Sequence, residues 1–281
     1  MSLAAFFARL LPVPIKRWVY KSPRLSKFVR RELNRVAPVG IRPVVVAAGE
    51  LKGHSLLLDL QSEKDYWLGM YEVDLQKSLH ELVKPGMVTY DVGANIGFIS
   101  LILACLVGKD GKVFAFEALP SNIERWHANV KLNNLTDRMQ LFSGAVSDQS
   151  APVRFLVHAS GGMGKAIGSA GRDNSYMDEI EVPGICLDDF VFSMGNLPPQ
   201  LIKMDIEGGE VLALPGMQRL LKEHQPILLM ELHGYESSQA AWKTLTELEY
   251  RMCWMKPGFP PVAALEALDW KAYLVAFPES R

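Results

Sequence analysis

The run Val88-Thr89-Tyr90-Asp91-Val92-Gly93-Ala94-Asn95-Ile96-Gly97-Phe98-Ile99-Ser100 constrains this chain more than any other stretch. A β-branched and aromatic segment leads into two glycines, and an apolar run continues through Leu106. Strand, glycine turn and helix in that order predict a βα unit of a doubly wound sheet. Gly93 and Gly97 lack the Cβ that would keep a ligand away from the backbone. Unpaired N–H groups at the start of the helix are expected to face whatever binds there. Two ligands use such a turn, a dinucleotide and S-adenosylmethionine. The dinucleotide pattern G-x-G-x-x-G is not matched by the spacing Asp91-x-Gly93-x-Asn95-x-Gly97. An acidic residue at the strand's end suits the cationic amino end of adenosylmethionine and would repel a pyrophosphate. The same turn also fits a tight βα connection that holds no ligand.

Downstream, Lys112 to Glu117 reads as a second strand. Glu117 stands at its tip, about 20 residues beyond Gly97, where one carboxylate accepts both ribose hydroxyls of an adenosine. A helix over Ser121 to Asn133 puts Asn122 near the nucleotide. A third strand, Met139 to Val146, is expected to meet the adenine through Ser143, Gly144 and Ala145. Val153 to Val157 and Ile180 to Ile185 read as extra strands around a glycine- and serine-rich loop, His158 to Tyr176, long enough to serve as a lid. That loop has no P-loop pattern, so phosphate cradling is not indicated.

Leu201 to Ile206 and Pro226 to Leu232 supply a fourth and a fifth strand, followed by helices Val211 to His224 and Ser237 to Leu248. Tyr250 to Met255 and Ala272 to Phe277 close the sheet as an antiparallel pair. Upstream, residues 43 to 60 alternate like a hairpin with its turn near Lys52-Gly53, and Val73 to Val83 is helical. Just before that helix lies Asp65-Tyr66-Trp67-Leu68-Gly69-Met70-Tyr71-Glu72. Its aromatics and Glu72 form either a lid over a cofactor's amino acid end or a core cluster with a capping carboxylate. The layout predicts an α/β fold: the Rossmann-like, seven-stranded doubly wound sheet of class I methyltransferases, with an N-terminal helical and hairpin extension. We divide it at residues 1–60 and 61–281.

At 49% apolar, the 281 residues can bury a sizeable core. A formal net charge of -1 argues against a nucleic-acid partner. Residues 1 to 42 nonetheless hold ten Lys and Arg against Glu32 alone, roughly +9. That basic amphipathic segment, broken by Pro12, Pro14 and Pro23, fits a peripheral membrane contact or packing on the domain or a second subunit in a homodimer. Cys105, Cys186 and Cys253 form no C-x-x-C pair, which fits a reducing compartment and gives no sign of zinc. No apolar run approaches the ~20 residues of a membrane span. Met1 to Leu11 has neither the basic start nor the cleavage site of a signal peptide and is read as retained. The expected location is cytoplasmic, at most peripheral to the inner face of the membrane.

At Leu201-Ile202-Lys203-Met204-Asp205-Ile206-Glu207-Gly208-Gly209-Glu210 the chain resembles FkbM-type methyltransferases. Asp91 to Gly97, Ala115-Phe116-Glu117-Ala118-Leu119-Pro120 and Cys186-Leu187-Asp188-Asp189-Phe190 agree. The family usually has Pro where Ala118 stands, and Thr or Ser near Cys186. The resemblance spans roughly residues 66 to 235. It implies an S-adenosylmethionine-dependent enzyme that methylates a hydroxyl of a sugar, glycan or secondary metabolite. The cofactor set it suggests is Glu72, Asp91, Gly93, Asn95, Gly97, Phe98, Glu117, Ala118, Asn122 and Ala145.

The chemistry sets its own demands. Methyl transfer is an in-line displacement, so alignment supplies much of the rate. An alcohol needs a base or a metal to help remove its proton. The acceptor lies beyond the carboxyl ends of the strands, where Asp205, Glu207, Glu231 and His233 are expected. Asp205, His233 and Glu231 are therefore the catalytic candidates. His233 would act as a base titrating near ~6.5 unless burial or a carboxylate shifts it. Alternatively a divalent metal would sit on Asp205, Glu231 and His233. The plain structural reading makes Glu207 and Glu210 caps of the next helix and Lys203 a buried partner of Asp205. Acceptors of the exocyclic-amine kind call for Asn/Asp-Pro-Pro-aromatic at the fourth strand's end, and Asn196-Leu197-Pro198-Pro199 lies before that strand instead. The rival readings are a dinucleotide-dependent oxidoreductase and a non-catalytic adenosylmethionine-binding module.

Overall fold

Alternation along the central strands sorts their side chains into two core layers, one on each side of a single sheet. The computed structural model describes residues 38–159, 161–171 and 176–279. The basic segment over residues 1–37, with the membrane or dimer contact expected of it, lies outside them. Among the described residues no helix is long and apolar enough to cross a membrane.

The chain begins with a hairpin, β1 (Ile41–Val45) and β2 (Ser55–Asp59), then a short helix α1 (Lys64–Trp67) and a longer one, α2 (Val73–Leu82). The sheet starts at β3 (Val88–Val92), followed by α3 (Phe98–Val107), β4 (Lys112–Glu117), α4 (Pro120–Leu132) and β5 (Met139–Ser143). An insertion follows, built from β6 (Ala145–Val146), β7 (Val153–His158), β8 (Gly164–Ala166), β9 (Tyr176–Val182) and β10 (Gly184–Ile185). The chain then returns through β11 (Leu201–Met204), α5 (Glu210–Ala213), α6 (Gln218–His224), β12 (Ile227–His233), α7 (Tyr235–Glu247), β13 (Tyr250–Trp254) and β14 (Lys271–Pro278).

The seven-stranded order is β13-β14-β12-β11-β3-β4-β5. The five strands from β5 to β12 run parallel, and β14 is antiparallel to both β12 and β13. This is the expected class I methyltransferase arrangement, with the strand order reversing between β3 and β11. Phe114, Phe116, Ile202, Met204, Leu228 and Met230 pack into one layer. Val113, Ala115, Leu201 and Leu229 pack into the other, with α3, α4 and the hairpin's Leu56 and Leu58.

Three expectations change in detail. The third strand stops at Ser143, because Gly144 lies against Pro183, whose carbonyl would stand 2.5 Å from a Cβ there. Ala145 and Val146 pair instead with Gly184 and Ile185. The helix expected over Val211 to His224 is interrupted by a tight turn, Leu214–Met217, at Pro215-Gly216. The glycine-rich loop also contains a strand, β8, paired with β7.

The free edge of β2 is closed by side chains of α4. Asn129 Oδ1 accepts from Leu57 N–H at 2.7 Å, and Asn133 exchanges two bonds with the backbone of Ser55. Arg125 donates to the Leu57 carbonyl and makes a bidentate pair with Glu63. Asn129 is fully buried, and its amide also donates to the Ile96 carbonyl in the glycine turn at 2.8 Å. Asn129→Ala therefore leaves a buried donor and a buried acceptor unpaired. It should lower unfolding free energy by about 2–3 kcal/mol, measured in urea; a change below about 0.5 kcal/mol would mean that the hairpin contributes little to the fold.

Candidate active site

The carboxyl ends of β3, β4, β5 and β11 converge on one open cleft, whose empty space, solvent at its mouth included, is about 930 Å³. One end is apolar, with Phe116, Leu119, Ala145, Val146 and Phe155; the other carries Tyr66, Tyr71, Phe98, Asp205 and Glu207. Glu117, Asn95, Ala118 and Asn122 also line it. An apolar slot, a carboxylate and an aromatic and acidic far end fit a nucleoside joined to an amino acid, the shape of S-adenosylmethionine.

Glu117 ends β4 with one oxygen accepting Asn95 N–H at 2.8 Å and the other accepting Leu119 N–H at 2.9 Å. Burial raises its pKa, against the lowering effect of those donors and of Asn122. Asn122 also donates to the Gly162 carbonyl at 3.2 Å, and Ser121 to the Gly161 carbonyl at 3.3 Å. These contacts bring the tip of the inserted sheet over the cleft, where Gly162, Met163 and Ala166 join its lining. Phe155 of β7 and Gly164 and Ala166 of β8 thus stand along the cleft.

The glycine turn differs from expectation. A Cβ on Gly93 would lie 1.9 Å from the Asp205 carbonyl, and one on Gly97 2.8 Å from Trp126. The space these glycines leave open is filled by the protein itself. The N–H groups of Gly93 and Ala94 go to the Phe116 carbonyl, that of Asn95 to Glu117, and that of Gly97 to the Ala94 carbonyl. Gly93 still reaches the cleft, whereas Gly97 and Asp91 are absent from its surface.

Asp91 is fully buried, accepts from Ser100 and faces Lys203, whose ammonium lies 3.3 Å from its Oδ1. The register pairs Lys203 with Asp91 on adjacent strands, so both point to the same face. This contact is a charge pairing without a directed hydrogen bond, because Lys203 aims its protons at the carbonyls of Gly93 (2.8 Å) and Val92 (3.3 Å). Burial alone would lower the Lys203 pKa; Asp91 and then Asp205 raise it, so the side chain stays charged. The buried partner of Lys203 is thus Asp91 first.

Beyond Lys203, Asp205, Glu231 and His233 come together. His233 Nε2 lies 2.9 Å from Glu231 Oε1 and 3.3 Å from Asp205 Oδ1, and Nδ1 lies 3.7 Å from Glu207 Oε2. Burial works to lower the imidazole pKa, yet the three carboxylates raise it to about 10. His233 is therefore an imidazolium through the neutral range rather than a base titrating near ~6.5. It does not reach the main cleft, which Asp205 and Glu207 do. Lys271 contacts Glu231 from the other side. Glu210 accepts from Ile206 N–H and Ser237 Oγ, with its pKa raised to about 7 by burial.

Donor atoms of Asp205, Glu231 and His233 lie within 4.8 Å of one another, a spacing that would admit a metal. As folded, however, the imidazole nitrogen that would ligate is committed to both carboxylates, and Lys271 already neutralises Glu231. The set fits a proton-balanced network better than a divalent ion.

Glu72 stands apart, lining a small second cavity with Lys203, Asp205, Glu231 and Tyr273. Its backbone is left-handed, at φ 43°. Burial, then the charges of Glu231 and Asp205, push its pKa to about 9, while burial-opposing bonds from His233 and Lys271 hold Glu231 down at about 2. Glu72 and His233 thus keep protons that the unfolded chain releases above about 4.5 and 6.5 respectively. Stability should fall as pH rises from 7 to 9, by up to about 1.4 kcal/mol per pH unit for each such proton. Urea unfolding across that range measures it, and Glu72→Gln should roughly halve the slope. Equal slopes in the two proteins would show that Glu72 is ionised in the fold.

The Methyltransferase FkbM domain family matches residues 91–252. The hexuronic acid methyltransferase AglP of Haloferax volcanii is 28% identical over 216 residues, covering 74% of this chain and 82% of that protein. A solved methyltransferase FkbM from Methylobacillus flagellatus is 16% identical, covering 90% of this chain and 60% of that one, at a TM-score of 0.43. An adenosylmethionine-dependent O-methyltransferase from Thermotoga maritima is also 16% identical, covering 80% and 68% at a TM-score of 0.43. The chain belongs to the FkbM family and is an S-adenosylmethionine-dependent methyltransferase.

Proposed function

We propose that this methyltransferase acts on a hydroxyl of a sugar, free or in a glycan, and that Asp205 takes the hydroxyl proton. The carrying observation is the position of Asp205, a carboxylate that lines the main cleft and is bonded to His233 behind it. AglP, by its name a methyltransferase of hexuronic acid, supports a sugar acceptor.

S-adenosylmethionine, when bound, supplies a methyl group activated by a sulfonium. Glu117 and Asn122 face its ribose in this reading, Ala118 and Ala145 its adenine, and Gly93, Asn95 and Phe98 its amino acid end. Asp205 accepts the proton as the acceptor oxygen loses it. His233 fixes the Asp205 carboxylate from behind, and Glu231 fixes His233 in turn. Glu207, partly exposed in the same mouth, offers an acceptor for a neighbouring sugar hydroxyl.

Labelled adenosylmethionine incubated with neutral sugars, uronic acids and glycan fractions should yield a labelled methyl ether. Asp205→Asn should lower turnover by roughly 10²–10⁴ while cofactor affinity stays within a few-fold. Turnover close to wild type would remove Asp205 from the chemistry. A chelator should leave turnover within about twofold, because Lys271 and His233 already neutralise the carboxylates; loss restored by a divalent ion would assign the work to a metal instead.

A further inference from the structure

Three aromatic rings meet at the acidic end of the cleft. Tyr66 and Tyr71 have centroids 4.4 Å apart, Tyr66 and Phe98 5.0 Å, and Tyr71 and Phe98 5.7 Å at 81°. All three line the cleft. They come from separate elements: α1, the loop before α2, and the first turn of α3. Gly69, at φ 65°, reverses the chain between the two tyrosines, and a Cβ there would stand 2.2 Å from the Ala48 carbonyl. Tyr71 N–H and Met70 N–H both return to the Asp65 carbonyl, and Ala47 N–H reaches the Trp67 carbonyl. The rings are therefore held from behind by the hairpin segment.

We propose that Tyr66, Tyr71 and Phe98 form a wall for the cofactor's sulfonium, so that the charged donor binds more tightly than its neutral demethylated product. The reading rests on the cofactor alone and is independent of the acceptor. The methyl group must travel from beside the ribose, at Glu117, toward Asp205, and Tyr71 is close enough to Asp205 to feel its charge. A sulfonium has no N–H or O–H to donate, so hydrogen-bond acceptors give it little directional hold. Aromatic faces attract such a cation through the ring quadrupole without demanding a donor. A counterweight is also needed, because the buried Lys203 ammonium stands near this end with the same sign and is sensed by Tyr66. Burial raises both phenols, Tyr66 and Tyr71, so they remain neutral and offer ring faces rather than phenolate charge.

The test is calorimetric binding of adenosylmethionine and adenosylhomocysteine to the full chain. Tyr71→Leu should weaken the sulfonium form about fivefold or more beyond any effect on the neutral form, and Tyr71→Phe should keep the wild-type ratio. Equal losses for both ligands, or an unchanged ratio in Tyr71→Leu, would overturn the proposal. Should the leucine variant fail to fold, progressively fluorinated phenylalanines at position 71 keep the ring's shape while draining its face of charge. Sulfonium affinity should then fall stepwise with fluorination and adenosylhomocysteine affinity stay level; a flat response of both would overturn the proposal. Failure here leaves the sugar-hydroxyl reading intact, since that reading stands on Asp205→Asn turnover.

Discussion

The mouth of the sheet hangs on the Lys203 ammonium. From the centre of β11 it faces Asp91 across the strand pair and donates to the last carbonyl of β3 and the first of the glycine turn. The turn, the strand end and β11 are thereby tied at one point. Removing one member of a buried pair typically costs about 3–5 kcal/mol, because the other is left charged without a partner. The position is set by sheet geometry: Leu201, Lys203 and Asp205 fall on one face by the two-residue repeat. The residue that locks the turn lies on β11, and the residue that enters the cleft stands two positions on, just past the strand's end.

Charge at the mouth is balanced by protons and ammonium groups. Lys203, His233 and Lys271 alternate with Asp91, Asp205 and Glu231 across four neighbouring strands, β3, β11, β12 and β14. Glu72 escapes ionisation in this crowd, because it is buried and because Glu231 and Asp205 already hold the nearby negative charge. Such a network holds Asp205 in place while leaving its side chain partly open to the cleft. That is the pre-organisation the proposed role of Asp205 toward a hydroxyl calls for.

Glu117 and Asp205 were legible in the sequence because strand ends announce themselves through turn chemistry and spacing, and a doubly wound sheet gathers those ends. The seven strands and their closing antiparallel pair followed from the same logic. Residue identity alone did not tell what would occupy the space beside Gly93 and Gly97; the answer, the Asp205 carbonyl and the Trp126 ring, comes from remote parts of the chain. The plain structural reading gave Lys203 to Asp205, whereas the register faces it to Asp91 across the strand pair. His233 was placed at the right strand end, but its three acidic neighbours make it a cation. Tyr66 and Tyr71 were visible as aromatics beside a glycine, without any sign that Phe98 completes the group. The strand β8, three residues long, carries too little pattern to be seen.

The tie between Lys203 and the turn joins residues 111 positions apart in the chain. During synthesis, β3, β4 and the glycine turn leave the ribosome long before β11 is made. Until β11 threads in beside β3, Asp91 has no counter-charge and the gap beside Gly93 has no carbonyl to fill it. Closing so long a loop is the slow part of assembling a parallel sheet. An unfinished chain thus carries every residue of the nucleotide half of the cleft without a working cleft, and donor loading becomes a property of the completed protein.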